Sequence, residues 1–235
     1  MLEASARELV AATSERRAAL ELQGAAAFRV VTQALIDVDA EAVIIDLSAK
    51  AIVEEGTHSE IYRALAERYR GAPVASPVPE PIRVPRYLDA EPWVRPMLQV
   101  VAMCAINETM ACSFLELSFE GSTDAFARDG IRTVLADEIR HARVGWAFLE
   151  SRRVDDRARA AISPWLLSML DTQWRKWKAQ IATLPPGGVP EHGCPAGDAI
   201  TAAALGSLRD VVLPGLDRAR LDTRAARAWF ESGVA

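Results

Sequence analysis

Two Glu-x-x-His pairs carry the chemistry that this sequence makes available: Glu55-Gly56-Thr57-His58 and Glu138-Ile139-Arg140-His141. The chain has three histidines in all, so two of the three stand three residues after a glutamate. Positions i and i+3 share a face of an α-helix. Each pair therefore presents a carboxylate oxygen and an imidazole nitrogen to one point in space, a donor set suited to a divalent metal ion. A further acid precedes each pair, Glu54 before Glu55 and Asp137 before Glu138. Two such pairs, completed by one glutamate from each of two neighbouring helices, compose the dimetal-carboxylate set of four-helix bundles.

The elements that must position these residues are helical. Apolar residues recur at helical spacing from about 7 to 36 and from about 40 to 70, with a turn at Asp37–Ala40. Residues 71–92 contain six prolines and can form neither helix nor central strand; such a stiff segment can cross the length of a bundle. A third helix is predicted over about 92–120, a turn at 121–124, a fourth helix to about 152, and a fifth over about 155–183. Short helices near 198–212 and 222–232 follow, and no segment alternates as a strand does. The predicted fold is all-α: two antiparallel helical hairpins joined by a long proline-rich crossover form a four-helix bundle over residues 1–152, and a helical extension over 153–235 packs on the same domain.

Antiparallel hairpins place residues at equal distances from the turn side by side. Glu55 lies 17 residues beyond a turn centred at 38, and 17 before that turn is Glu21; Glu138 lies 15 beyond a turn at 123, and 15 before it is Glu108. The rivals fit worse: Glu15 requires a turn inside an apolar stretch, and Glu116 stands too near the bundle end. Four carboxylates on apolar faces are costly to bury unless cations compensate them. The expected ligands are Glu21, Glu55, His58, Glu108, Glu138 and His141, and iron or manganese suits them, although zinc would bind such a set too.

In this pattern the chain resembles the ferritin-like superfamily of di-iron carboxylate proteins over about residues 8–150. Asp137-Glu138-Ile139-Arg140-His141-Ala142 is similar to the D-E-x-R-H signature of ribonucleotide reductase small subunits and rubrerythrin relatives. Closer still is the likeness to uncharacterised bacterial ferritin-like domain proteins, through Glu21, the EEGTH segment followed by RYRGAPV, and Asn107-Glu108-Thr109. The resemblance implies a ferritin-like bundle, bridging roles for Glu55 and Glu138, and terminal roles for Glu21 with His58 and Glu108 with His141. It departs from the pattern at Thr57, where an arginine commonly precedes the ligand histidine. Asp137 and Glu54 are candidates to accept the outer N–H of the histidines. Cys112, one turn after Glu108, is a candidate pocket residue, as is Cys104 one turn before it; Tyr62, four residues after His58, is a candidate redox tyrosine or a packed core side chain. His192 reads as a surface histidine.

The function these expectations favour is O2 activation by two iron ions, with manganese as the alternative metal, for oxidation of a small organic substrate. Handling of metal or peroxide, and a metal-free helical binding bundle, are the alternatives. No electron-transfer module accompanies the bundle, so a separate electron donor is expected, and paired bundles suggest a homodimer. The net charge of −5 and the lack of a Lys/Arg block argue against nucleic acid. Three cysteines without a C-x-x-C suggest neither a disulfide framework nor a thiolate metal site. The N-terminus lacks the apolar core of a signal peptide, and no continuous apolar run of spanning length is evident; a cytoplasmic location without a membrane partner is the expectation.

Overall fold

The computed structural model describes residues 2–78, 82, 84–184 and 187–233, so the proline-rich segment at 79–81 and 83 and the prolines at 185–186 lie outside the described residues. Helices α1 (Ala4–Asp37) and α2 (Ala42–Arg70) form the first hairpin. Their register is antiparallel about a turn at 38–41: Thr32 and Ser48 share a hydrogen bond of 2.8 Å near the turn, and the Ser59 hydroxyl donates to the Ala18 carbonyl at 2.7 Å farther down. Helices α3 (Arg95–Gly121) and α4 (Ala125–Leu149) form the second. Asp124 caps α4 by accepting the Ala127 N–H at 3.0 Å, which satisfies one of the donors a helix start leaves free.

Two apolar clusters stack along the bundle. At the end holding the first turn, Phe28, Leu35, Ile44, Leu98, Ile106 and Phe148 pack together; at the other, Val10, Tyr62, Tyr69, Phe114, Ile131 and Val134 do. Helix α2 ends in the second cluster and α3 begins in the first, so the two described ends of the connection between them lie at opposite ends of the hairpins. Its far end is tied down by Arg95, which donates to the carbonyls of Ala90 and Leu88 at 2.9 and 2.7 Å.

The third helix departs from the sequence expectation. It is not one α-helix: its middle, Val101–Glu108, is π-helical between α-helical ends. A π-turn is wider than an α-turn and its backbone bonds are less favourable, so it persists where tertiary contacts hold it. Here they do. The Gln173 amide donates to the Ala102 carbonyl at 3.2 Å, the Trp177 indole donates to the Asn107 side-chain oxygen at 3.3 Å, and the Ser207 hydroxyl donates to the Thr109 carbonyl at 3.2 Å. On the opposite side α4 approaches so closely at Gly145 that a Cβ there would stand 2.1 Å from the Ala105 nitrogen.

Those clamps come from the C-terminal helices. The predicted fifth helix is two, α5 (Asp156–Ile162) and α6 (Leu166–Ile181), separated by a 3-10 turn at Ser163–Trp165; Pro164 lacks the N–H that a continuous helix needs. Helix α7 (Gly197–Arg218) and helix α8 (Arg224–Glu231) follow. Val154, Ile162, Leu170, Leu208 and Leu216 join the same apolar cluster as Phe28 and Phe148, so the core continues from the hairpins into these helices. Among the described residues the β-structure is one isolated bridge, Val189 to Cys194. By length and composition α3 and α7 are apolar enough to cross a bilayer, contrary to the sequence reading; the apolar window of α3 is 72% buried inside the protein, as a core helix is.

Substitution at two glycines separates close approach from helix propensity. Gly145→Ala drives a methyl into the backbone of the π segment and is expected to destabilise the fold by about 3 kcal/mol. Gly206→Ala meets nothing within 4 Å and is expected to stabilise it by up to about 1 kcal/mol. Urea unfolding followed by circular dichroism checks both signs.

Candidate metal centre

Between the two apolar clusters lies a layer of ionisable side chains that water scarcely reaches. Glu55, His58, Glu108, Glu138 and His141 are all buried, and Glu21 is 15% exposed. Donor atoms of Glu21, Glu55, His58 and Glu138 lie within 4.8 Å of one another, and this group could hold a metal ion. His141 faces the same carboxylates from the other side: its Nδ1 is 3.3 Å from Glu55 Oε1 and 3.3 Å from Glu138 Oε2. His58 Nδ1 takes the remaining oxygens, at 3.8 Å from Glu55 Oε2 and 3.5 Å from Glu138 Oε1, with Glu21 Oε2 at 3.7 Å. Thus each of the two central carboxylates turns one oxygen to each imidazole.

Both histidines are held by their far nitrogens, and the anchors cross over. His58 Nε2 donates to Asp137 at 3.1 Å, and His141 Nε2 donates to Glu54 at 3.1 Å. An ionised carboxylate only accepts, so each ring must carry its proton on Nε2 and aim Nδ1 at the cluster. Arg140 ties the two anchors together, donating to Glu54 at 2.8 Å and to Asp137, while Lys50 adds a contact to Glu54 at 3.0 Å. The departure noted at Thr57 therefore leaves no gap: Thr57 is exposed, and one arginine serves both halves. Glu54 is kept ionised in consequence. Burial would raise its pKa, but hydrogen bonds from Arg140, Lys50 and His141 prevail and hold it at about 2. Phe28 packs edge-on against His141 with ring centroids 4.9 Å apart.

The donor set fits a metal by an observation internal to the site. His58 Nδ1, His141 Nδ1 and Glu138 Oε2 are buried and have no hydrogen-bond partner. Buried polar atoms are ordinarily paired, and orphans cost free energy. Their neighbours stand 3.3–3.8 Å away; donors sharing an ion at about 2.1 Å stand roughly 3–3.5 Å from one another. Without an ion, protons supply the positive charge. Burial pushes Glu21 up to about 8, with the charges of Glu55 and Glu138 adding to the rise and the nearby His58 opposing it. Burial likewise drives Glu108 well above the usual carboxylate range. Burial disfavours charge on the histidines, yet the adjacent carboxylates of Glu138, Glu21 and Glu55 raise His58 far above its ordinary value, and those of Glu138 and Glu55 raise His141 to about 11. Burial also opposes charge on Glu138, but the two imidazoles beside it hold it at about 2.

A cavity of about 190 Å³ opens on this layer, and Glu21, Glu55, Glu108 and Glu138 all line it. Glu108 reaches it from the π segment, with Asn107 alongside. Helices α6 and α7 close the other side through Trp177, Ile181 and Ile200.

The remaining sequence candidates fall outside this arrangement, each for a local reason. Cys112 is half-buried on α3 but does not line the cavity; Ala111, three residues after Glu108, does. Cys104 is fully buried at the Gly145 contact and is a packing residue. Tyr62 is packed in the core, accepts a long hydrogen bond of 3.4 Å from Arg17, and is raised by burial to about 12. His192 is not a free surface histidine: it is 20% exposed, and its Nδ1 shares a 2.7 Å hydrogen bond with the Tyr69 hydroxyl. The rejected rivals are indeed elsewhere, Glu15 paired with Arg70 at 2.6 Å on the surface and Glu116 exposed. Sequence reasoning missed Gly24, because nothing in a lone helical glycine marks what crosses it. A Cβ at Gly24 would sit 2.6 Å from Glu55 Oε2, so α1 must lack a side chain there for the carboxylate to occupy its place.

No protein-family model, curated protein or solved structure matches the chain.

Two tests address the centre itself. Gly24→Ala pushes the flexible end of Glu55 aside rather than any backbone, so metal affinity is expected to fall at least about tenfold while metal-free stability changes by no more than about 1 kcal/mol. Metal uptake must displace the protons on His58, His141, Glu21 and Glu108. Groups whose metal-free pKa is raised hold those protons until pH rises, so apparent affinity for Mn²⁺ is expected to climb between about pH 6 and about pH 8, with protons released on binding. Titration in weak buffer with a pH indicator reads both.

Proposed function

We propose that this protein is a ferritin-like, non-haem di-iron oxidase or oxygenase that acts on a small organic substrate. The observation that carries the reading is the division of Glu55 and Glu138, each with one oxygen toward His58 and one toward His141. Carboxylates so disposed suit a bridge between two ions, with Glu21 and His58 completing one and Glu108 and His141 the other. Two ferrous ions held there would supply electrons to O2, the chemistry such centres are used for.

The chain's own residues support that chemistry in three ways. Asp137, Glu54 and Arg140 fix the tautomer and direction of both imidazoles. The apolar clusters above and below exclude water and keep the carboxylates' charges unscreened. The cavity beside Glu21 and Glu108 gives an organic molecule access to one side of the centre, and its largely apolar walls of Leu20, Phe114, Leu115, Trp177 and Ile181 favour such a molecule over a mineral. Electrons beyond those of the ferrous pair come from a separate donor or from the substrate.

Anaerobic loading with Fe²⁺ followed by an O2 pulse tests the proposal. About two iron ions per chain and a transient visible absorption band are expected. Glu138→Ala or Glu55→Ala should abolish binding of at least one ion and the band, while Glu116→Ala and Glu15→Ala leave both unchanged. Retention of no metal by the native protein would remove the enzymatic reading.

A further inference from the structure

The cavity is lined by charges of both signs. The four glutamates are its only acids among the described residues, whereas Arg16, Arg17 and Lys176 line it as well; Lys176 lies near enough Glu108 for their charges to interact. Arg17 is the informative one. It stands one helical turn before Glu21 on α1, the i,i+4 spacing at which the two charges ordinarily pair. It does not pair: no carboxylate among the described residues forms an ion pair with it. Instead its guanidinium carbon lies 3.9 Å from the ring centroid of Phe114 and 5.4 Å from that of Tyr62. Its one hydrogen bond is the long donation to Tyr62, and its Nε is buried with no acceptor. Arg16, by contrast, is engaged with the Thr183 hydroxyl.

A guanidinium fixed against aromatic faces on the wall of a cavity, with no ion pair among the described residues, is prepared for a planar anion. Two divalent ions on the four glutamates would neutralise them and leave Arg17 its charge. A ligand ammonium would find no spare acid there. The spacing sets the ligand's size: Arg17 and Glu21 are about 6 Å apart along the helix axis, and a cavity of this order accommodates a benzene-sized body. We propose that the cavity binds a small monocarboxylic acid with an apolar body, its carboxylate on Arg17 and its hydrocarbon end directed to Glu21 and Glu108. The binding rests on a metal-filled site, whatever the metal; what becomes of the bound acid rests on the di-iron reading as well.

The test uses the full chain loaded with Zn²⁺, which cannot turn over, and calorimetric titration with hexanoate, hexan-1-ol and hexylammonium. Hexanoate is expected to bind at least about tenfold tighter than either of the others, one charge-assisted contact being of that order. Arg17→Gln should erase the preference, and Arg17→Lys should keep part of it; thermal melts confirm that both variants fold. Equal binding of hexanoate and hexanol, binding by none of the three, or a hexanoate affinity that follows metal content and ignores Arg17 would each overturn the proposal, the last because the carboxylate would then sit on the metal. Iron content and O2 uptake are read on a parallel sample. Loss of those with hexanoate preference intact would sink the di-iron reading alone, and the converse result would sink the acid alone.

Discussion

Four glutamates and two histidines gathered between apolar layers pose an electrostatic demand that the rest of the molecule is arranged around. Carboxylates removed from water cannot remain charged without nearby positive charge. The metal-free protein meets the demand with protons, which is why the histidines rise, why Glu21 and Glu108 rise with them, and why Glu138, flanked by both imidazoles, stays low. Protons are a poor fit geometrically: they leave both Nδ1 atoms and one Glu138 oxygen without partners. An ion can contact several donors at once where a proton joins two, so the cluster is better satisfied by metal than by its own hydrogens.

Rigidity of the donors follows from a second layer that is itself charged. The acids that precede Glu55 and Glu138 each reach across the bundle to the other helix's histidine, Glu54 to His141 and Asp137 to His58. The exchange ties α2 to α4 at the height of the site, and Arg140 closes it into one network. Because each anchor belongs to the opposite helix, neither histidine can rotate without loosening the packing of the pair. The candidate ligands are thereby held by the same contacts that hold the bundle.

The C-terminal helices have a comparable double role. Gln173, Trp177 and Ser207 hold the π segment from outside, and that segment carries Glu108 to the cavity. The same helices supply the cavity's outer wall. Widening of α3, burial of its carboxylate and enclosure of the space beside it are thus one packing arrangement.

Much of this was legible in the sequence because it depends on spacing along helices. Glu-x-x-His at i and i+3 shares a face in any α-helix, and antiparallel hairpins put Glu21 beside Glu55 and Glu108 beside Glu138 by counting from the turns. The proline content of 71–92 excluded a helix there for want of N–H donors, and the preceding acids Glu54 and Asp137 could be named as anchors. What only the tertiary structure decided depends on groups distant in sequence. The π segment has the same apolar composition as an α-helix, and it is set by Gln173, Trp177 and the absence of a side chain at Gly145. The crossing of the anchors, and the choice of Ala111 over Cys112 as cavity wall, follow from how the hairpins face each other. Gly24 matters only because Glu55 arrives from another helix, and Arg17, one turn from Glu21, is left without a carboxylate because Phe114 and Tyr62 draw it the other way. Local periodicity determines which residues can meet; the packing of helices against one another determines which of them do.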